Sequence, residues 1–159
     1  MNVTIDILNE SGSRWLPEFA DCETWITSAL AAASYNEDCG ISFKYVTEEE
    51  SAELNESYRG KASATNVLSF PADLPREIAS QLGYSPLGDI VICPAVLETE
   101  AIAQGKTLLA HWVHLLTHGA LHLLGYDHEK EDEAQKMEAL EVLILKNNGF
   151  ENPYTIIVS

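Results

Sequence analysis

Basic residues are scarce in this chain. Its 159 residues include nine lysines and arginines against 25 aspartates and glutamates, which gives a formal net charge of −16. Because proteins bind phosphate backbones mainly through lysine and arginine, this balance excludes a broad nucleic-acid footprint. A small positive cleft is compatible with it, and Arg59 and Lys61 are the closest pair of basic residues along the chain. Most of the carboxylates are expected to form a solvated, mutually repelling surface.

Cysteines and long apolar runs are also few. Cys22, Cys39 and Cys93 are far apart and form no CxxC pair, so neither a disulfide framework nor a zinc knuckle is indicated. No segment reaches the roughly 18 apolar residues that a membrane span needs, and the first residues lack the basic start and apolar run of a secretion signal. We therefore expect a soluble, cytoplasmic protein with no membrane partner.

The apolar pattern predicts one domain over residues 1–159, because no repeat, low-complexity tract or long linker divides the chain. Strands are predicted at Val3 to Leu8, Ile41 to Val46, Val67 to Phe70 and Asp89 to Cys93. Helices are predicted at Pro17 to about Ala33, Thr47 to about Tyr58, Pro94 to near Gly105, about Thr107 to Leu124 and about Lys130 to Asn147. The stretch from Ala72 to Pro86, with two prolines and a glycine, is predicted to be an excursion or flap.

Two of these helices carry a predicted core stripe. In the first helix the stripe consists of Phe19, Trp25, Ile26 and Leu30. In the last helix it consists of Ala134, Met137, Leu140, Leu143 and Ile144. These stripes are expected to pack against the sheet and the neighbouring helices.

The segment HGALHLLGYDH, from His118 to His128, predicts a metal site. His118 and His122 are four residues apart, so they lie one turn apart on the same face of a helix and both rings can reach one ion. Gly125 tolerates a positive φ and can turn the chain so that His128 returns to the same ion. Three nitrogen ligands suit zinc or another divalent transition metal and leave one coordination position open for water.

The spacing matches the zinc-peptidase pattern HExxHxxGxxH at every histidine and at the glycine. Gly119, however, stands where that pattern has its general-base glutamate. The missing base favours a metal-dependent reaction other than ordinary peptide hydrolysis, or one whose proton acceptor comes from elsewhere.

The same predicted helix carries two further histidines. His111, His114, His118 and His122 fall on one face at about 100° per residue. His114 is one turn before His118, close enough to touch a substrate, and a catalytic role is weighed equally against a packed, hydrogen-bonded one. For His111 a structural role is favoured.

These motifs carry a family resemblance. HGALHLLGYDH, LNESYRGKASATNVLSFP from Leu54 to Pro71, and LGDIVIC from Leu87 to Cys93 resemble the YbeY family of bacterial rRNA maturation endoribonucleases. The resemblance runs from about residue 40 onward and implies an α+β domain, with a mixed sheet of about four strands surrounded by five or six helices. The metal site is expected at the C-terminal end of a central helix. Many members have an aspartate where this chain has Asn66.

The resemblance also implies a site and partners. Zinc is expected on His118, His122 and His128, and Arg59 is expected to line the cleft. The implied activity is single-strand-specific endoribonuclease cleavage in rRNA maturation, at the 3′ end of 16S rRNA and in ribosome quality control. The small ribosomal subunit and an assembly GTPase are implied as partners.

A hypothesis for the chemistry follows from these residues. Arg59 would grip the phosphate oxygens through its planar guanidinium. His114 could carry a proton, although Asp127 or a second water could do so instead. Two alternatives stay open at this point: a metallopeptidase-like zinc hydrolase of small substrates, and a non-enzymatic ribosome-assembly factor whose zinc is structural.

Overall fold

The fold is built on a four-stranded mixed sheet. The computed structural model describes residues 1–127 and 129–154, apart from the side chains of residues 76, 79 and 80. Within these residues the chain forms four strands and six helices: β1 (Val3–Asn9), α1 (Phe19–Ala32), β2 (Cys39–Tyr45), α2 (Glu48–Arg59), β3 (Val67–Pro71), α3 (Arg76–Gln81), β4 (Ser85–Ile92), α4 (Pro94–Gln104), α5 (Leu108–Leu123) and α6 (Glu131–Asn147). The strand order is β1, β2, β4, β3, with the first three parallel and β3 antiparallel to β4. The predicted α+β class and mixed sheet are confirmed.

Helix α5 lies at the centre of the molecule. It contacts β3 and β4 on one side and α1, α4 and α6 on the others. Trp112, Leu116 and Leu121 of α5 are fully buried in the main core, which also holds the inward side chains of the sheet. A smaller cluster on the other face of the sheet joins Leu68 and Val91 to α2 and α4. Because α5 is packed along most of its length, side chains on its one open edge are held on a rigid support.

The ends of α2 and α5 follow from their sequence. The Thr47 hydroxyl accepts a hydrogen bond from the backbone N–H of Glu50, and that of Thr107 does the same for Ala110. Side-chain oxygens at these positions satisfy N–H groups that have no partner inside the helix. Gly60 ends α2 with φ 74°, a left-handed conformation that favours glycine. Each boundary lies within about one residue of the predicted one.

Two expectations about local structure are wrong. Strand β4 begins at Ser85, four residues before the predicted start and inside the predicted excursion, which also contains the short helix α3. Pro86 has no backbone N–H to donate to a neighbouring strand. It is tolerated here because the pairing with β2 shifts register between Gly40 and Ile41, where the lost hydrogen bond costs little stability. Phe19 and Leu143 are exposed and do not belong to the core.

The structure bears on the expectations about the cysteines and about membrane-spanning helices. Cys22, Cys39 and Cys93 are free and buried. In the described part of the chain, the helices are too short or too polar to cross a bilayer.

His111 is a buried structural histidine, as the sequence favoured. It is only 3% exposed, and its Nε2 lies 3.0 Å from Oε1 of Glu100 on α4. The amide of Asn66 donates to the same carboxylate at 3.1 and 3.2 Å. This link joins α4, α5 and the segment before β3. Burial lowers the pKa of His111, and hydrogen bonding to Glu100 only partly offsets that effect.

The lowered pKa predicts a pH-dependent stability. An unfolded histidine takes up a proton near pH 6.5, whereas folded His111 resists protonation to a lower pH, so its contribution to stability is lost as the pH falls through this range. His111→Asn should lower the free energy of unfolding by about 2 kcal/mol above pH 7, since a buried ring is truncated. The deficit should shrink as the pH falls below about 6.5.

Urea unfolding of both proteins at a series of pH values measures this difference. His111→Gln, which also cannot titrate in this range, should behave in the same way. A deficit that stays constant over this pH range for both variants would show that folded His111 titrates like an unfolded histidine.

Candidate active site

The row of histidines on α5 is the centre of the candidate site. The ring centroids of His111 and His114 are 6.4 Å apart, those of His114 and His118 are 6.3 Å apart, and those of His118 and His122 are 4.5 Å apart. The helical repeat therefore places all four on one edge of α5, as predicted. The shortest separation falls on the pair that the sequence assigned to a metal.

His118 and His122 point their Nε2 atoms at each other, 2.9 Å apart. Two neutral nitrogens with lone pairs cannot stay this close unless one carries a hydrogen or a cation lies between them. Two ligands of one tetrahedral zinc ion would be about 3.4 Å apart, for bonds of about 2.0–2.1 Å. The pair is thus close to the separation that a shared ion requires.

A carboxylate of α6 contacts the Nδ1 atom of His118. Glu141 of α6 is 1% exposed, and its Oε1 lies 3.1 Å from Nδ1 of His118. Its Oε2 lies 2.5 Å from Nε2 of His114 and accepts a 2.6 Å hydrogen bond from the hydroxyl of Tyr154. Each oxygen of a carboxylate that is shielded from water therefore has a protein donor.

These donors keep Glu141 ionised. Burial alone would raise the pKa of the Glu141 carboxyl, but hydrogen bonds from His114, His118 and Tyr154 outweigh it and hold that pKa at about 2. An ionised carboxylate only accepts hydrogen bonds, so Nδ1 of His118 must carry the hydrogen. In the neutral ring Nε2 then has the free lone pair, on the side that faces His122. Glu141 thus fixes the tautomer that a metal ligand needs.

His114 is held by the same carboxylate that contacts His118. Its Nε2 is engaged by Glu141, and the Tyr154 hydroxyl lies 3.3 Å from it. Its Nδ1 is buried and has no hydrogen-bond partner among the described residues. This placement does not make His114 a fourth metal ligand. A direct proton transfer from Nε2 would require the bond to Glu141 to open.

His128, the third predicted ligand, lies outside the described residues. Within residues 1–127 and 129–154, no three histidine, cysteine, aspartate or glutamate side chains form a metal site by themselves. Asp127, the alternative proton carrier, accepts a 3.2 Å hydrogen bond from the backbone N–H of Glu129. The described residues therefore supply two of the three expected nitrogens, and the donor set, two imidazoles backed by a carboxylate, fits a divalent transition metal.

Gly119 explains the departure from the peptidase pattern. It is buried, and a Cβ at this position would lie 3.2 Å from two atoms of the Ile90 side chain and 3.4 Å from the Ser69 hydroxyl. That hydroxyl donates to the Gly119 carbonyl at 3.2 Å. Position 119 therefore faces the sheet, where a glutamate would be buried away from the histidine pair. A side chain at this position would require Ile90 to shift by a few tenths of an ångström, which disfavours a peptidase-like general base here.

Arg59 lies apart from the described histidines. It is the last residue of α2 and is exposed. The loop that follows it is fastened to α2, since the Ser51 hydroxyl donates to the Thr65 carbonyl at 2.9 Å and Asn55 donates to Ser63 at 2.8 Å. The neighbouring Tyr58 packs on the ring of Phe70 in β3, and the two ring centroids are 4.6 Å apart. Arg59 is therefore at the β3 edge of the sheet.

A cavity of about 370 Å³ runs beside the histidine row. Its walls are formed by Asn66, Val67, Glu100, Gln104, Lys106, His111, His114, Leu115, His118, Pro153 and Tyr154. Arg59 is not one of the described residues that line it. The cavity gives a ligand access to the ring of His118 and to one lysine, Lys106.

Glu141, Glu100 and Tyr154 are not among the site residues predicted from the sequence. Glu141 had a detectable pattern, because it lies four residues after Met137 and three before Ile144, both buried on the same face of α6. An acidic residue at a core position of an amphipathic helix indicates a buried partner. Tyr154, in contrast, reaches the site only through the course of the chain after α6, which no local pattern specifies.

Two comparisons with known proteins bear on the family and the fold of this chain. Residues 8–149 match the sequence profile of a family described as Endoribonuclease YbeY. The solution structure of TM1509 from Thermotoga maritima is similar to this chain with a TM-score of 0.54 and 25% sequence identity, and the similarity covers 96% of this chain and 99% of that one. Because the family match covers most of the chain, the chain belongs to the YbeY family of metal-dependent endoribonucleases of rRNA processing, and it is a hydrolase.

Proposed function

We propose that this chain cuts single-stranded RNA with a zinc ion held by His118, His122 and His128. The observation that carries the proposal is the 2.9 Å approach of two Nε2 atoms, one of them on a ring whose other nitrogen is fixed by a buried carboxylate. When bound, the ion would supply Lewis-acid stabilisation of the charge that builds on the phosphate. The proposed substrate is the 3′ end of 16S rRNA, in maturation and in ribosome quality control.

The protein's own groups would bind and orient the RNA. Arg59 is proposed to hold phosphate oxygens, since a guanidinium offers two parallel donors to them. Its exposed position at the end of α2, before a loop fastened to that helix, suits a strand that crosses from the β3 edge toward α5. A flexible single strand can follow such a path more readily than a stiff duplex.

His114 is proposed to act mainly through Glu141. It donates from Nε2 to the carboxylate that orients His118, so it is a positioning residue in this arrangement. A role as proton carrier on the substrate would need the Glu141 bond to open first. Tyr154 completes the ring of donors, and the burial of its hydroxyl beside Glu141 raises the pKa of Tyr154, which keeps it a donor.

The cellular setting is also a proposal. Three buried, unpaired cysteines suit a reducing cytoplasm. The small ribosomal subunit and an assembly GTPase are proposed as partners on the family resemblance alone. Membership in an endoribonuclease family speaks against the non-enzymatic alternative, and the packing of Gly119 against Ile90 speaks against the peptidase-like one.

The first test removes a metal ligand. His118→Ala should lose the bound metal and RNA cleavage together, because it deletes one of the two converging nitrogens. Metal analysis of the purified protein and a cleavage assay on single-stranded RNA measure the two effects. Ile102→Ala, at a side chain that is 77% exposed on the neighbouring helix, is the control and should change neither. RNA cleavage that survives His118→Ala would mean a contaminating nuclease or a different active site.

The second test separates phosphate binding from metal binding. Arg59→Glu should reduce cleavage by roughly 100-fold while the metal content stays that of the wild type, since a lost phosphate donor costs about this much. Arg14→Glu makes the same change of charge at another exposed arginine and should leave the rate unchanged. If Arg59→Glu cuts at the wild-type rate, the proposed phosphate contact is wrong.

The third test concerns Glu141. In Glu141→Gln the amide cannot accept hydrogen bonds from both histidines, so the Nδ1 bond that orients His118 is weakened. We expect metal affinity to fall by about 10–100-fold, as for other carboxylates behind metal-bound histidines. Cleavage should largely recover at saturating metal, which a group acting directly on the RNA would not allow.

A titration of activity against zinc concentration measures both quantities. Glu138→Gln changes an exposed carboxylate of the same helix and is the matched control. Unchanged metal affinity in Glu141→Gln would show that the hydrogen bond to His118 does not support the metal site.

A further inference from the structure

Lys106 is a cation in the histidine cavity with no ion pair within the part of the chain that the structure describes. It precedes α5 and is half-buried, and it lines the cavity together with His114 and His118. In contrast, Lys44 on β2 lies 2.6 Å from a carboxylate oxygen of Glu50. A partly desolvated ammonium without an anion is unfavourable, which indicates that an anion belongs beside it.

The two carboxylates whose charges act on Lys106, Glu100 and Glu141, are already engaged, whereas the exposed Glu151 lines a neighbouring cavity with Lys106. Glu100 accepts hydrogen bonds from Asn66 and His111, and both oxygens of Glu141 have protein donors. Burial lowers the pKa of Lys106, although Glu100 and Glu141 act in the opposite direction from a distance. The net shift shows that these two carboxylates do not compensate the loss of water around the ammonium.

The same cavity offers an aromatic ring. Tyr154 lines the cavity and is 44% exposed, while its hydroxyl is tied to Glu141. A fixed ring beside a cation is the combination with which proteins bind single-stranded nucleic acid, through base stacking and phosphate contacts. A small inorganic anion would make no stacking contact with the ring.

We propose that Lys106 binds a phosphate of single-stranded RNA that flanks the bond to be cut, in the cavity beside His114 and His118. The proposal rests on the endoribonuclease function proposed above. It adds a second cation to the path of the RNA, in a cavity whose described lining residues do not include Arg59.

The test measures RNA binding as a function of salt. The full-length, metal-loaded protein is titrated with a fluorescently labelled oligouridylate whose 2′-hydroxyls are methylated, and a gel checks that the RNA stays intact. Lys106→Met should weaken binding roughly fivefold at 0.1 M salt and reduce the slope of log affinity against log salt by about 0.7, the contribution of one contact to a single-strand phosphate. Lys106→Arg should bind like the wild type.

Lys146→Met is the matched control. It removes the same charge from an exposed lysine of α6 that lies outside the cavity, and it should leave the slope unchanged. Thermal unfolding should show that Lys106→Met is at least as stable as the wild type, because a half-buried charge without an ion pair is removed. If it does not fold, Lys106→Gln replaces it.

The outcomes separate the two proposals. If the wild type binds RNA and Lys106→Met has the slope of Lys146→Met, the Lys106 contact is refuted and the proposed function stands. If the wild type does not bind the oligonucleotide, the proposed function fails and this inference fails with it. If inorganic phosphate at constant ionic strength binds the wild type more tightly than Lys106→Met while RNA binding of the two proteins is the same, the site binds the free anion and the assignment to RNA is overturned.

Discussion

The buried carboxylate of Glu141 constrains the whole site. An ionised group at 1% exposure is tolerable only if each of its oxygens accepts a hydrogen bond, and the donors come from α5 and from the segment after α6. Satisfying this charge therefore fixes the rotation of α6 against α5 and the position of Tyr154. It also fixes the ring of His118, because the hydrogen on Nδ1 leaves Nε2 to point toward His122. The orientation of the ligand pair is thus determined by the packing of two helices as well as by the spacing on one.

The side of α5 on which each residue lies explains which chemistry the histidine motif can support. His118 and His122 lie on the open edge of the helix, and Gly119, one residue on, lies against Ile90 and Ser69 of the sheet. In this chain a side chain at position 119 would meet the sheet before it could reach the histidine pair. Close helix-to-sheet packing therefore disfavours a glutamate at this position. A fold that presses α5 onto β3 and β4 requires any proton acceptor to come from elsewhere.

The parts of the structure that could be predicted are those set by local periodicity. The spacing of His118 and His122 on a helix and the bounds of α2 and α5 follow from patterns of a few residues, whereas the mixed sheet was implied by the family resemblance. Glu141 is 23 residues from His118, and the sequence analysis placed exposed Leu143 in the stripe and left Glu141 out. That error came from assuming that the inner face of a helix is apolar. The start of β4 was missed because Pro86 argues against a strand unless the register shift beside it is known.

The net charge of −16 describes the surface as a whole and says little about the cavity. A carboxylate whose oxygens already accept hydrogen bonds from histidine, asparagine or tyrosine contributes less to the local potential than its formal charge, since the donors screen it at close range. Both Glu100 and Glu141 are in this condition, whereas the ammonium of Lys106 is not paired with either of them. An acidic protein can therefore present a local site for phosphate, provided that its nearby acids are engaged internally. The acidic surface elsewhere then repels RNA and favours entry only where such a site exists.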